Sequence, residues 1–221
     1  MWLRAERQTA GRGRQGRGWV SPVGNLYAST LVRLTGGEPP APTLALVAAV
    51  ALHEAVSVFH SPVGAAYLLI KWPNDLLLGG AKLSGILLER SEDAVVIGFG
   101  VNLAHHPGDL DRAAISLAAA DGNAPDADTF LAVLADSVAR WIARWRNEGL
   151  APIRAAWLAR AHPIGTALTV RVPSLHGEGE VGDDALQGLF DGLDASGALR
   201  LRLADGAVRV IHAADVFMIQ D

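Results

Sequence analysis

Ala65-Ala-Tyr-Leu-Leu-Ile-Lys71, Trp72-Pro-Asn-Asp75, Leu76-Leu-Leu78, Gly79-Gly80 and Ala81-Lys-Leu-Ser-Gly-Ile-Leu-Leu-Glu89 follow one another in the middle of the chain, and their punctuation decides the fold. The apolar run ending at Lys71 reads as a short buried strand. Trp72 to Asp75 break it, and Leu76 to Leu78 resume an extended run. Two glycines between extended segments predict a hairpin, because a type I′ turn needs positive φ at both central residues. Leu83 to Glu89 and Ala94 to Val101 follow as strands around the polar turn Arg90 to Asp93, so the centre of the chain is a meander.

Upstream, Gly11, Gly13, Gly16 and Gly18 alternate with Arg12, Arg14 and Arg17, which leaves the first twenty residues without an apolar face and predicts a mobile loop. Asn25 to Leu34 alternate apolar and polar residues as a strand with Leu26, Ala28, Thr30, Val32 and Leu34 on one side. After Pro39 to Pro42, Thr43 to Phe59 carry apolar residues at helical spacing. Downstream, Thr129 to Glu148 form an amphipathic helix and Ile153 to Ala161 continue helically after Pro152. Beyond Pro163 come short strands at Ala167–Val172, Gly188–Leu193, Ala198–Leu203, Val208–His212 and Val216–Ile219. Turns rich in Asp, Gly and Ser separate them and suggest a small barrel, with Ser174 to Asp184 as a longer loop. A boundary near Gly165 divides the chain into units 1–164 and 165–221.

The 221 residues are half hydrophobic and allow one substantial core plus a small module. A net charge of -4 disfavours a protein that coats nucleic acid. With no cysteine there is no disulfide framework and no thiolate metal site, and no cationic leader precedes an apolar stretch; a cytoplasmic protein is expected. Ala41 to Phe59 is interrupted by His53 and Glu54 and reads as a buried helix, not a membrane span. Of the 19 basic residues all are arginine except Lys71 and Lys82. Lysine therefore stands only where a generic cation does not suffice.

Three segments carry chemistry. Gly11-Arg-Gly-Arg-Gln-Gly-Arg-Gly-Trp19 concentrates backbone N–H groups and three guanidinium forks, which suits phosphate or carboxylate oxygens. It lacks the Lys-Ser/Thr of a P-loop, and an RGG-like nucleic-acid segment is the alternative. In Lys71 to Asp75 and Gly79 to Gly85, Asn74 and Asp75 taken singly are turn formers. Lys71 ends an apolar strand, however, and Lys82 opens another that contains Gly85, where close approach is open. Gly98-Phe-Gly-Val-Asn102 is the third segment, weak by itself.

Together, Gly11 to Trp19, Lys71 to Leu76, Ala81 to Leu87 and Gly98 to Asn102 resemble the GRGRxGRxW, KWPNDL, GKLxGIL and GxGxN signatures of the biotin protein ligases. Leu186 to Phe217 resembles that family's small C-terminal barrel. The resemblance implies an α+β fold: a class II aminoacyl-tRNA synthetase-like catalytic domain, its central mixed, largely antiparallel sheet flanked by helices, plus an SH3-like barrel. It implies Gln8, Gly11, Arg12, Arg14, Lys82 and Gly85 on the biotin side. Arg14, Arg17, Trp19, Asn74, Lys82 and Asn102 would serve ATP, with Trp19 covering adenine, Asn74 near phosphates or metal, and Lys82 and Arg14 stabilising charge in catalysis. The implied reaction joins biotin to AMP from ATP with Mg2+, then passes biotin to a lysine of a biotin carboxyl carrier protein. The loop is expected to order over the adenylate.

The family's pattern also has a Ser/Thr-Thr-Asn turn ahead of the loop; this chain begins ten residues before it, and the turn is expected to be missing. Ala214 stands where glycine is common. A non-catalytic biotin-binding remnant and a lipoate ligase are the alternatives, self-association as a homodimer is compatible, and no helix-turn-helix precedes the loop as a repressor would require. His53, Glu54 and His60 have the wrong spacing for HExxH zinc binding, no protein metal site is expected, and His105 and His106 read as a solvated loop pair. Trp141, Trp145 and Trp157 read as core.

Overall fold

The computed structural model describes residues 1–60, 67–108, 113–175 and 181–219. Its first sheet is built from β1 (Trp2–Ala5), β2 (Leu26–Arg33), β3 (Leu68–Lys71), β4 (Asp75–Leu78), β5 (Ala81–Ser91) and β6 (Ala94–Val101) in the order β1-β2-β6-β5-β4-β3. Every neighbouring pair is antiparallel. The expected mixed character is confined, among the described residues, to isolated parallel bridges at Ile70–Ala161 and Lys82–Ala114. The meander is as read: Gly79 and Gly80 both have positive φ, 57° and 83°, as the tight β4–β5 turn requires. Ala65 and Ala66 of the predicted third strand lie outside the described residues.

Along β2, Leu26, Ala28, Thr30 and Val32 are buried while Leu31 and Arg33 are exposed, the alternation expected of a sheet with one face on a core. That core is covered by α1 (Leu44–Phe59), which packs on α3 (Ala127–Glu148), α4 (Leu150–Leu158) and the sheet. By length and composition α1 with the turn before it could cross a membrane, yet it is mostly buried inside the protein. Its Glu54 accepts from Ser137 and Trp141 of α3 and from Arg160, and Trp145 donates to Thr43 at 2.8 Å. Trp145 and Trp157 are fully buried and Trp141 nearly so, as expected of core residues.

Two elements were not legible. β1 lies within the segment expected to be loop; its four residues acquire strand geometry by pairing with β2, and Trp2 packs on Phe99 with ring centroids 5.7 Å apart. The short α2 (Leu117–Asp121) is capped by Ser116 and ended by Gly122 at φ 74°.

The second sheet comprises β7 (Ala167–Leu175), β8 (Val181–Leu193), β9 (Leu199–Arg202), β10 (Val208–Ile211) and β11 (Asp215–Met218) in the order β10-β9-β8-β7-β11. Its edges β10 and β11 do not pair with each other among the described residues, so the hydrogen bonding is that of an open sheet and not a closed barrel. The long loop expected at Ser174 to Asp184 is largely strand instead: β7 and β8 stay in register out to Leu175 opposite Val181. Polar residues there hid a ladder that backbone pairing sustains, and residues 176–180 lie outside the described set.

Candidate functional site

One cavity of about 570 Å³ opens over the face of the first sheet. Its floor is β5 and β6, its far wall the β3–β4 turn, its lid the glycine-arginine segment, and its rim the start of β11. Of the ten residues singled out for the site, nine line it: Gln8, Arg12, Arg14, Arg17 and Trp19 from the lid, and Asn74, Lys82, Gly85 and Asn102 from the sheet. Gly11 does not reach the wall. A side chain there would sit 2.6 to 2.8 Å from the Trp19 carbonyl, Ser21 Oγ and Gln8 Oε1, so Gly11 serves the crossing of the loop with itself.

The loop is a closed turn rather than an open tail. Gly13 N–H donates to the Arg17 carbonyl at 2.7 Å, Trp19 N–H donates to the Gly11 carbonyl at 2.9 Å, and Arg12 bridges Gly18. This turn drops the Trp19 indole onto the strands. A Cβ at Gly100 would lie 2.7 Å from the ring and one at Gly85 3.3 Å, so glycine at both positions is what lets the indole lie against bare backbone. The Lys82 ammonium stands 5.5 Å from the ring centroid, within cation–π reach. Trp19 Nε1 is buried and has no acceptor within the described protein.

Two of the amides are committed to backbone. Asn74 Nδ2 donates to the Ile86 carbonyl while the Asn74 backbone carbonyl accepts from Ile86 N–H at 3.0 Å, stapling the β3–β4 turn to β5. Asn102 Nδ2 donates to the carbonyls of Ile115 at 3.1 Å and Lys82 at 3.4 Å, which fixes the backbone that presents Lys82.

The sequence reading assigned no role to two carboxylates that organise these cations. Asp75, 7% exposed, lies 2.7 Å from Lys82 Nζ and 3.1 Å from Lys71 Nζ. Burial pushes its carboxyl up, but the two ammonium groups outweigh burial and hold it below the usual carboxylate range. Asp215, on the second sheet, lies 2.6 Å from Arg17 and 3.9 Å from Arg14, and Arg14 also donates to the Ala214 carbonyl at 3.1 Å. Burial draws the Arg14 guanidinium below its ordinary value, with Asp215 and Asp75 pulling the other way. Asp75 could have been suspected from its place between the chain's two lysines; Asp215 had no local signal.

The remaining candidates are spent on packing. His53 Nε2 lies 3.2 Å from the Leu68 carbonyl and His60 Nδ1 2.9 Å from Asp121, while His105 and His106 are exposed as read, His106 Nδ1 lying 3.1 Å from Ser116 Oγ. Among the described residues no three His, Cys, Asp or Glu converge as a metal site would need. The cavity gathers Arg12, Arg14, Arg17, Lys71 and Lys82 around a glycine floor, and such a site neutralises anionic groups brought close to each other.

The sequence profile described as "Biotin/lipoate A/B protein ligase family" matches residues 4–102, and that described as "Biotin protein ligase C terminal domain" matches residues 178–218. The chain is 44% identical to the biotin–[acetyl-CoA-carboxylase] ligase of Paracoccus denitrificans, covering 98% of this chain and 89% of that protein. It is 35% identical to the enzyme of the same name from Mycobacterium tuberculosis, covering 97% and 77%. Against the bifunctional ligase/repressor BirA of Escherichia coli the identity is also 35%, over 93% of this chain and 62% of that one. Among solved structures, the biotin protein ligase from Aquifex aeolicus in complex with biotin and ATP superposes with TM-score 0.81 at 25% identity, covering 100% of this chain and 89% of that one.

Proposed function

Since the chain belongs to the biotin protein ligase family, we infer that it activates biotin with ATP as biotinyl-5′-AMP and transfers the biotinyl group to a carrier lysine, releasing AMP and pyrophosphate. The observation that carries this reading is the convergence of Arg12, Arg14, Arg17 and Lys82 on one cavity. Attack of a carboxylate on the α-phosphate presses two anions together, and preorganised cations are worth most where that charge builds up.

In this reading Lys82 and Arg14 stabilise the reacting phosphate, Arg17 extends the cationic wall, and Gln8, Arg12 and Gly85 take the biotin side. Trp19 covers adenine, with Asn74 and Asn102 setting the nucleotide wall. The glycine-arginine turn orders over the adenylate and shields it from water. Magnesium fits as an ion carried on the triphosphate: Asp75 is already committed to two lysines, which leaves the Asn74 amide oxygen as the protein's contribution. When bound it offsets charge on the departing pyrophosphate. In the second step the enzyme supplies position rather than a covalent nucleophile.

Residues 1–164 form the catalytic unit, related to class II aminoacyl-tRNA synthetases. Residues 165–221 form an SH3-like unit, which the five antiparallel strands and the C-terminal family match support. The partner is a biotin carboxyl carrier protein of acetyl-CoA carboxylase or a similar carboxylase, in the cytoplasm, and self-association as a homodimer is compatible with this reading. Mixing the chain with ATP, magnesium, labelled biotin and a carrier domain tests the reading. Carrier labelling that needs both ATP and biotin is the expected result. Exchange of pyrophosphate with ATP that responds to lipoate and not biotin, or binding of biotin with no exchange, would overturn it.

A further inference from the structure

An enzyme that holds an activated acyl group exposes its own amines to it, and here the chain's whole stock of lysine ammonium groups, Lys71 and Lys82, lies at the cavity where that group is made. The other seventeen of the chain's 19 lysine and arginine residues are arginine, whose guanidinium stays protonated and is a poor nucleophile. Both lysines contact one carboxylate, Asp75, at 3.1 and 2.7 Å. Lys82 cannot be withdrawn to safety, because its charge belongs beside the reacting carboxyl.

We propose that Asp75 protects the enzyme from acylating itself, by keeping Lys71 and Lys82 as ammonium ions with no lone pair to attack the biotinyl carbonyl. This rests on the biotinyl-adenylate reading above. The charges facing Asp75 are Lys71, Lys82 and, at longer range, Arg14, while His162 feels Lys71 and is held neutral by burial and that charge, its pKa pushed down to about 4. Asp75 is thus the carboxylate that offsets several cations in a small volume. Without it, mutual repulsion and burial both favour loss of a lysine proton. The freed ε-nitrogen would then attack the acyl carbon: a C–N amide bond forms, the acyl C–O bond breaks, AMP leaves with the electron pair, and the surplus proton on nitrogen passes to solvent.

Synthetic biotinyl-5′-AMP, supplied without ATP or carrier, separates this from the first half-reaction. The wild-type chain and Asp75→Asn are incubated with it, and adducts at Lys71 and Lys82 are mapped by peptide mass, with the α-amino group as reference. Asp75→Asn should gain biotinyl amide at Lys82 by roughly tenfold or more over wild type, as expected when the carboxylate 2.7 Å from the ammonium is removed. Asp75→Glu, which keeps the charge, should stay protected, and Asp75→Asn combined with Lys82→Arg should lose the Lys82 adduct. Equal labelling of Lys82 in wild type and Asp75→Asn, or a folded Asp75→Asn that binds the adenylate and stays unlabelled, overturns the proposal.

If Asp75→Asn does not fold, wild type is compared native and in urea; Lys82 labelled as readily in the native state overturns it too. An acetyl N-hydroxysuccinimide ester run in parallel reads the same protection without any adenylate. Biotin-dependent exchange of pyrophosphate with ATP, measured on wild type alone, reports separately on the enzymatic reading.

Discussion

The Arg17 guanidinium donates to the Asp215 carboxylate at 2.6 Å, joining the glycine-arginine turn to a strand 198 residues later. Through this pair and the Arg14 bond to the Ala214 carbonyl, the second sheet supplies the anchor of the cavity's lid. Arg17 is 44% exposed, so the pair adds little to folding, about 1 kcal/mol or less.

Asp215→Ala should therefore leave thermal unfolding nearly unchanged and instead speed the escape of bound biotinyl-5′-AMP. Dissociation rates followed by tryptophan fluorescence check this. A rate equal to wild type in Asp215→Ala would show that the latch does not hold the lid.

Lys82→Ala should remove about 3 kcal/mol of transition-state stabilisation in adenylate formation, the scale of a lost preorganised donor. Lys82→Arg should not restore it, because a planar fork cannot replace the compact ammonium beside Asp75 at 2.7 Å. Single-turnover adenylation is the measurement.

Gly100→Ala places a methyl 2.7 Å from the Trp19 ring. The indole must lift from the floor, at an overpacking cost of about 1–3 kcal/mol. The expected outcome is weakened ATP binding with shifted tryptophan emission, while far-UV circular dichroism stays unchanged. Wild-type affinity in this variant would mean that the indole does not need the floor.

His162 is buried and His53 half-buried, and both have pKa values pushed down to about 4, His53 by burial and then Arg160, His162 by burial and then Lys71. Unfolded histidine binds its proton near pH 6.5, so between about 6.5 and 4 the unfolded chain holds more protons than the folded one. Stability from these groups is fully present above 6.5 and falls as pH drops through that window, by up to roughly 3 kcal/mol for each histidine. Asp75, depressed below its ordinary value, adds its loss only at lower pH. Unfolding in denaturant at pH 7 and pH 5 should show the decline, and His53→Gln, which keeps a donor for the Leu68 carbonyl, should remove about half of it.

Most of the first sheet and its covering helix was legible because the signals are local: the Gly79-Gly80 turn, the alternation of β2 and the helical spacing of α1 each lie within one element. β1 was not, because four residues beside a glycine-arginine loop are too few to show a period, nor were the extended ends of β7 and β8, where polar residues carry none; pairing makes both into strands. The site followed the same division. Arginine, lysine and glycine types announced a cationic, close-approach pocket, but Gly11 turned out to shape the loop and Asn102 to brace backbone.

Sequence alone determined the cavity's cationic and close-approach character, because residue type sets charge, donor number and backbone freedom before any folding. Only the tertiary structure decided how they are held. Asp75 meets both lysines because β3, β4 and β5 are neighbours in register, and Asp215 reaches Arg17 because two separate sheets meet at the rim. Coulomb attraction depends on distance in space, and no pattern along the chain encodes a distance between segments 198 residues apart.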